Sequence, residues 1–185
     1  VTHRLVIELP DWLVSIPVGD SFPGDEERMR LAISLARKNV ESRNGGPFGA
    51  AVFERSSGRL IAGGVNLVVP MRNSVLHAEV MAIMLAEERL GSFTLGAASG
   101  AEHELVTSCE PCAMCLGAIH WSEVSRLVTG ATRQDAEEAR FDEGPVFPES
   151  YHYLEQRGVT VSRDVLRDEA REVLRLYGRM NGEIY

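Results

Sequence analysis

Two short stretches decide how this chain is read: His77-Ala78-Glu79, and Cys109-Glu110-Pro111-Cys112-Ala113-Met114-Cys115. The first opens an apolar run that reaches Leu90 and stops at Gly91, a helical pattern with its termination signal. In the second, Pro111 suits the first turn of a helix, where its missing N–H leaves no bond unmade. Cys112 and Cys115 are then i and i+3 on one helical face, and the positive end of the helix favours their thiolates. Two thiolates at this spacing form half of a zinc site. His77, at the start of the other helix, is the best further ligand. Three protein ligands leave one tetrahedral position for water, whose pKa zinc lowers to about 7. Glu79, on the same turn as His77, can reach that water without ligating the metal and can relay its proton.

Plainer readings of the same residues exist. A lone Cys-x-x-Cys is also a redox pair or a structural zinc half-site. With Cys109 as a fourth ligand the site would be closed, and the protein an interaction domain stapled by zinc. Glu79 alone would be a solvated acid in a first helical turn. Only the combination with His77 and Pro111 favours catalysis.

Working outward, Asp25 to Val40 reads as a helix behind the Pro23-Gly24-Asp25 turn, with Ala32, Leu35, Ala36 and Val40 on one face. Phe48–Glu54 and Leu60–Asn66 form a hairpin around Ser56-Ser57-Gly58-Arg59, and Val68–Ser74 is a loop. After the His77 helix come a strand at Glu104–Thr107, the Pro111–Trp121 helix, a strand at Arg126–Gly130 and a short helix at Gln134–Arg140. A strand at Val159–Val165 and a helix at Asp168–Arg179 complete the order α-β-β-α-β-α-β-α-β-α. A hairpin followed by β-α alternation implies a mixed sheet between helical layers, an α/β/α architecture. Residues 1–24, broken by Pro10, Pro17 and Pro23, read as an N-terminal arm; 25–165 as the domain; 166–185 as a C-terminal helix and tail.

Composition narrows the partners. The chain has 185 residues, 19 basic against 27 acidic, and a net charge of -8. That field disfavours a nucleic-acid partner, without excluding a local basic groove. Lys38 is the only lysine. The odd, tight group of three cysteines fits a reducing compartment and a thiolate site rather than a disulfide framework. No apolar run is long enough for a membrane span, and the N-terminus lacks a signal-peptide pattern, so a cytoplasmic protein is expected.

His-x-Glu followed by Pro-Cys-x-x-Cys is the signature of zinc-dependent nucleobase deaminases. The sequence resembles the cytidine/deoxycytidylate deaminase superfamily over roughly residues 25–145. Within it, Gly46-Pro47-Phe48-Gly49-Ala50, Thr107-Ser108-Cys109-Glu110-Pro111-Cys112, Met114 to Ile119, Trp121, Phe141-Asp142-Glu143 and the terminal Tyr185 look like the bacterial guanine deaminase branch. The resemblance implies a five-stranded sheet, one zinc per subunit on His77, Cys112 and Cys115, Glu79 as proton shuttle, and a packing role for Cys109. It implies that Phe48 stacks on a purine, Asn66 bonds the base, Ala78 offers its backbone and Trp121 walls the pocket. Asp142 and Glu143 would face the substrate, with Glu143 near the leaving amine. It also implies a homodimer in which the tail is exchanged, so that Tyr185 closes the partner's pocket. Glu143 stands where that branch carries Asp, and one methylene moves a carboxylate by about 1.5 Å. Either the loop compensates, or the substrate range widens to heterocycles such as aminotriazines. The expected reaction is guanine to xanthine and ammonia. The alternatives are a tRNA adenosine deaminase, a cytosine or cytidine deaminase, and the non-enzymatic zinc module.

Overall fold

The computed structural model describes residues 3, 5–97 and 100–185; residues 1, 2 and 4 of the arm lie outside the described residues. Among these, five strands run β1 Gly49–Glu54, β2 Leu60–Val65, β3 His103–Cys109, β4 Arg126–Ala131 and β5 Thr160–Ser162, in the order β2-β1-β3-β4-β5. β1 is antiparallel to both β2 and β3, whereas β3, β4 and β5 are parallel. The sheet is therefore mixed, and its sense changes at β3.

Helices α1 Asp25–Glu41 and α7 Arg167–Arg179 cover one face; α3 Ala78–Leu90, α4 Ala113–Ser122 and α6 Pro148–Gln156 cover the other. Single-turn α2 Val68–Met71 and short α5 Arg133–Glu138 lie between. Side chains alternate across a strand. Along β1, Ala51 and Phe53 join Met29, Ala32 and Ala36 beneath α1, while Ala50 and Val52 meet Ala78, Ala82 and Ile83 of α3.

Two glycines let a helix touch the sheet. A Cβ on Gly49 would lie 2.4 Å from Ala32 O of α1, and one on Gly64 would lie 2.3 Å from Ala82 N of α3. At the opposite sheet end Glu104, fully buried, joins Arg28 at 2.5 Å and Arg126 at 2.8 Å, and Arg126 reaches Asp25. That network ties α1 to β3 and β4, and removing the carboxylate would leave buried Arg28 unpaired.

The arm packs on its own domain. Leu13, in a 3-10 turn Asp11–Ser15, joins Leu35, Val65 and Met81. Trp12 Nε1 donates to Asn44 Oδ1 at 2.9 Å, with Lys38 Nζ 5.0 Å over its ring.

Candidate active site

His77 and Cys112 are the N-cap residues of α3 and α4, so the positive ends of two helices converge on one spot. Cys115 follows in the first turn of α4, fully buried. His77 Nδ1 lies 3.5 Å from Cys112 Sγ, and the ligand atoms of His77, Cys112 and Cys115 all lie within 4.8 Å of one another. Zinc with bonds of about 2.0–2.3 Å separates neighbouring tetrahedral ligands by roughly 3.5–3.8 Å, so an imidazole and two sulfurs so placed fit it. Cys109 stands apart. It packs in the cluster beneath α1 and α7, and its Sγ points at Thr132 O, 3.7 Å away.

The acids beside this triad are buried. Glu79, 6% exposed, is pushed up to about 7 by burial and then by the Cys112 charge. Glu143, 7% exposed, is pushed up to about 8, again by burial first and then by Cys112 and Glu79. Cys112 is drawn down to about 4 by its bond from Cys115, while Cys115 is driven up by the same contact. For His77, burial pulls the pKa down, but Cys112, Glu79 and Glu143 outweigh it and raise it.

A cavity of about 190 Å³ opens on these groups. Phe48, Asp142, Glu143 and Tyr185 line it together with His77, Glu79 and Cys112. Glu143 is held there through its own backbone: its carbonyl accepts from Ala113 N, one of the free amides at the start of α4, at 3.0 Å. Asp142 Oδ1 accepts from Gly144 N at 2.8 Å and shapes the turn. The Phe48 ring meets Phe141 edge-on at 4.9 Å, and Phe141 meets Tyr185 at 5.5 Å. Phe141, Val68 and Ser74 are wall residues that sequence reasoning missed; only the adjacency of Phe141 to Asp142-Glu143 pointed to it. Larger surface hollows, up to about 540 Å³, contain none of the metal-site residues.

Other expected contacts are placed differently. Asn66 is fully buried just after β2, behind the cavity wall rather than in it, with Oδ1 accepting from Val68 N and Nδ2 without a partner among the described residues. Ala78 is fully buried against Gly64 and forms no part of the cavity wall. Trp121 does not wall the pocket of its own chain. It lies at the far end of α4, about 13 Å along the helix from Cys112 at 1.5 Å per residue, and is 78% exposed. In the single chain described, the tail packs on its own domain. Tyr177 Oη donates to Glu183 O at 2.7 Å, the chain folds back over the Tyr177 ring at Gly182, and Tyr185 enters the cavity of its own domain.

A profile described as the cytidine and deoxycytidylate deaminase zinc-binding region matches residues 23–131. The guanine deaminase of Bacillus subtilis is 38% identical over 134 residues, covering 72% of this chain and 81% of that protein. The crystal structure of the NE0047 N66Q mutant with 8-azaguanine superposes with a TM-score of 0.93 at 44% identity, covering 98% of this chain and 99% of that one. A structure of guanine deaminase from Nitrosomonas europaea gives 0.92 at 44%, covering 97% and 98%. With its helix-capping histidine and cysteine, its second cysteine one turn on and its mixed five-stranded sheet, the chain belongs to the zinc-binding cytidine and deoxycytidylate deaminase family.

Proposed function

We propose that this protein hydrolyses the exocyclic amine of a free purine base, converting guanine and water to xanthine and ammonia. The observation that carries the reading is the small cavity in which a three-ligand metal site faces two buried carboxyls. At about 190 Å³ it is below the roughly 300 Å³ at which ordinary ligand pockets begin. It suits a single heterocycle better than a nucleoside within a folded RNA.

His77, Cys112 and Cys115 would hold zinc, which supplies a Lewis acid that makes water nucleophilic near neutral pH. Glu79, poised at about 7, takes a proton from water and delivers it to the ring nitrogen beside the reacting carbon. The C2–O bond forms; Glu143, poised at about 8, gives a proton to the departing amine as the C2–N bond breaks, and is reprotonated by the hydroxyl proton released when the C2 oxygen becomes a carbonyl. Phe48 presents an aromatic wall to a flat substrate, and the unpaired Nδ2 of Asn66 is a donor waiting for an acceptor. Tyr185 closes the mouth and excludes water. The NE0047 structures carry 8-azaguanine or 2,6-diaminopurine, and one is an E143D variant, so that protein starts from a glutamate. A glutamate is therefore compatible with purine binding, and Glu143 need not redirect this chain to aminotriazines.

The reading includes a homodimer. α4 is apolar on every side, a pattern that calls for burial all round. Yet Met114 and Trp121 lie exposed, as does Tyr153 of α6, whose ring meets His120 next to Trp121, and a Cβ on Gly117 would meet nothing within 4 Å. A second copy laid against this face would cover it. A cytoplasmic setting and a part in purine metabolism accord with three free cysteines and a base substrate. No described helix is long and apolar enough to cross a membrane.

The test is an ammonia-release screen over guanine, adenine, cytosine, their nucleosides and aminotriazines, with a tRNA-binding assay at moderate salt. Release from guanine alone, with no tRNA retained, is expected. Retention of tRNA with inosine formation would transfer the function to the tRNA-specific adenosine deaminases, one of which, from Haemophilus influenzae, is 33% identical over 108 residues.

A further inference from the structure

We infer that Asn39 and Gly46 are positioning residues that fix the hydrogen-bonding face which Asn66 offers to the base. The inference rests on the purine deaminase reading above. Neither the metal motifs nor the cavity wall includes Asn39, which lies on α1 and is fully buried. Its Nδ2 donates to Gly46 O and to Asn66 O, each at 2.9 Å. One planar amide thus ties the loop before β1 to the end of β2, using both of its N–H bonds.

The loop can come this close only because it lacks side chains. A Cβ on Gly45 would lie 2.0 Å from Asn66 O. A Cβ on Gly46 would lie 2.2 Å from Tyr185 Oη and 3.1 Å from Asn66 Oδ1. The empty side of Gly46 is therefore the berth of the tail hydroxyl, next to the Asn66 amide.

With its backbone held by Asn39, Asn66 has its side-chain oxygen committed to Val68 N at 3.2 Å. That bond assigns the amide orientation. Nδ2 is left as a buried donor without a partner. On that reading Asn66 offers the base a donor and takes an acceptor, an oxo group or an unprotonated ring nitrogen. A base that turns an amine toward it sets donor against donor. Asn39 and Gly46 act on binding of the base, not on the proton transfers at Glu79 and Glu143.

The experiment measures guanine steady-state kinetics, zinc content and thermal melting for the parent, Asn39→Ala and Gly46→Ala. Each is also made in a chain lacking residues 182–185. Both substitutions are expected to raise KM at least tenfold with kcat within threefold and one zinc per chain retained. The new methyl strikes Tyr185 Oη and also crowds Asn66 Oδ1 at 3.1 Å, so Gly46→Ala should keep at least a threefold rise in KM in the tail-less chain, where only the Asn66 contact remains. Asn39→Ala should keep its full effect there. Failure of the parent to deaminate guanine sinks the functional reading. An active parent with Gly46→Ala within twofold of its KM, or a Gly46→Ala effect that disappears with the tail, overturns the positioning role, and Gly46→Ala decides alone if Asn39→Ala does not fold. A lowered active fraction at unchanged KM in both variants also overturns it, because that is what a purely structural role would give.

Discussion

Gly64→Ala tests whether helix-to-sheet contact places the metal ligands. The new Cβ would lie 2.3 Å from Ala82 N and 2.4 Å from Ala78 O. Both are backbone atoms of α3, so no side-chain rotation relieves the clash. Unbonded heavy atoms rest about 3.5 Å apart, so α3 must lift by roughly 1 Å. Arg89 bonds Ile61 O and holds the far end of α3 to β2. The displacement therefore falls on the end that carries His77 and Glu79. Metal–ligand distances tolerate only about 0.2 Å, so zinc affinity should drop at least tenfold, of the order seen when supporting residues are lost. Overpacking should destabilise the fold by about 1–3 kcal/mol, a fall in Tm of about 2–4 °C for each kcal/mol at this size. The assay is competition for zinc against chelators of graded strength, with urea unfolding in parallel. Gly63→Ala is the control. It is the neighbouring residue on the same strand, and its Cβ would crowd only the methyl tips of Ile16 and Leu35, at 2.8 and 2.9 Å, with Ala50 O at an ordinary 3.9 Å. It should leave zinc affinity unchanged. Gly64→Ala binding zinc within threefold of the parent, at an unchanged unfolding midpoint, would refute the reasoning.

Three further outcomes are expected. Glu79→Gln should lower guanine turnover by 10²–10⁴-fold, the range of general acid–base catalysis, while inductively coupled plasma measurement still finds one zinc; near-normal turnover would remove the shuttle role. Asp135 caps α5 and pairs with Arg167 at 2.8 Å; burial opposes its charge, but the bonds from Arg167 and Thr132 win and hold it at about 2. A depressed carboxyl stabilises above its unfolded pKa and loses that contribution as pH falls through its folded one. Asp135→Asn should thus cost about 1–2 kcal/mol at pH 7, after allowance for partly exposed Arg167. The gap in unfolding free energy should close between pH 4 and 2, and a gap constant over that window would dismiss the pairing. Trp121→Glu should convert a sedimenting dimer to monomer, and a variant that stays dimeric would place the interface elsewhere.

Much of the fold was legible because its elements carry strong periods. The β1–β2 hairpin, the three parallel strands and the helices opening near His77 and Pro111 all follow from apolar spacing and caps, although both ligands prove to be N-caps rather than first helical residues. The miss at α6 has a plain cause. Gly144-Pro145 and Phe147-Pro148 suggest a loop, yet Pro148 is an N1 proline that starts a helix. β5 is shorter than expected, three residues, because Asp164 and Leu166 turn to positive φ. At the site, the type and spacing of His77, Glu79, Cys112 and Cys115 pointed to one cluster, which the fold brings together. Asn39, proposed above as a positioning residue, gave no such signal: it reads as one polar position in an amphipathic helix, and only the approach of Gly46 and Asn66 gives its amide two carbonyls to hold. Trp121 shows the opposite difficulty: an aromatic on a helix that is apolar all round could face a pocket, the core or a partner, and in this chain it is exposed.

Electrostatics explains why one of three neighbouring cysteines stays out of the metal set. Around His77 the fold buries Cys115, Glu79 and Glu143, whose ionisation the Cys112 charge opposes, while bonds from Cys115 and His77 favour the Cys112 thiolate. A divalent cation reverses that mutual penalty and makes a cluster of acids favourable. Cys109 would add a third thiolate and close the site. It ends β3 instead, opposite Ala131, and packs beneath α1 and α7 on the other side of the sheet from α3 and α4. Burial keeps its thiol protonated well above the ordinary range, with Thr132 O to receive the S–H. The step from strand to helix between Cys109 and Cys112 thus separates two sulfurs only three residues apart. It is this turn, rather than the number of cysteines, that leaves a donor set of three and makes the site fit for chemistry.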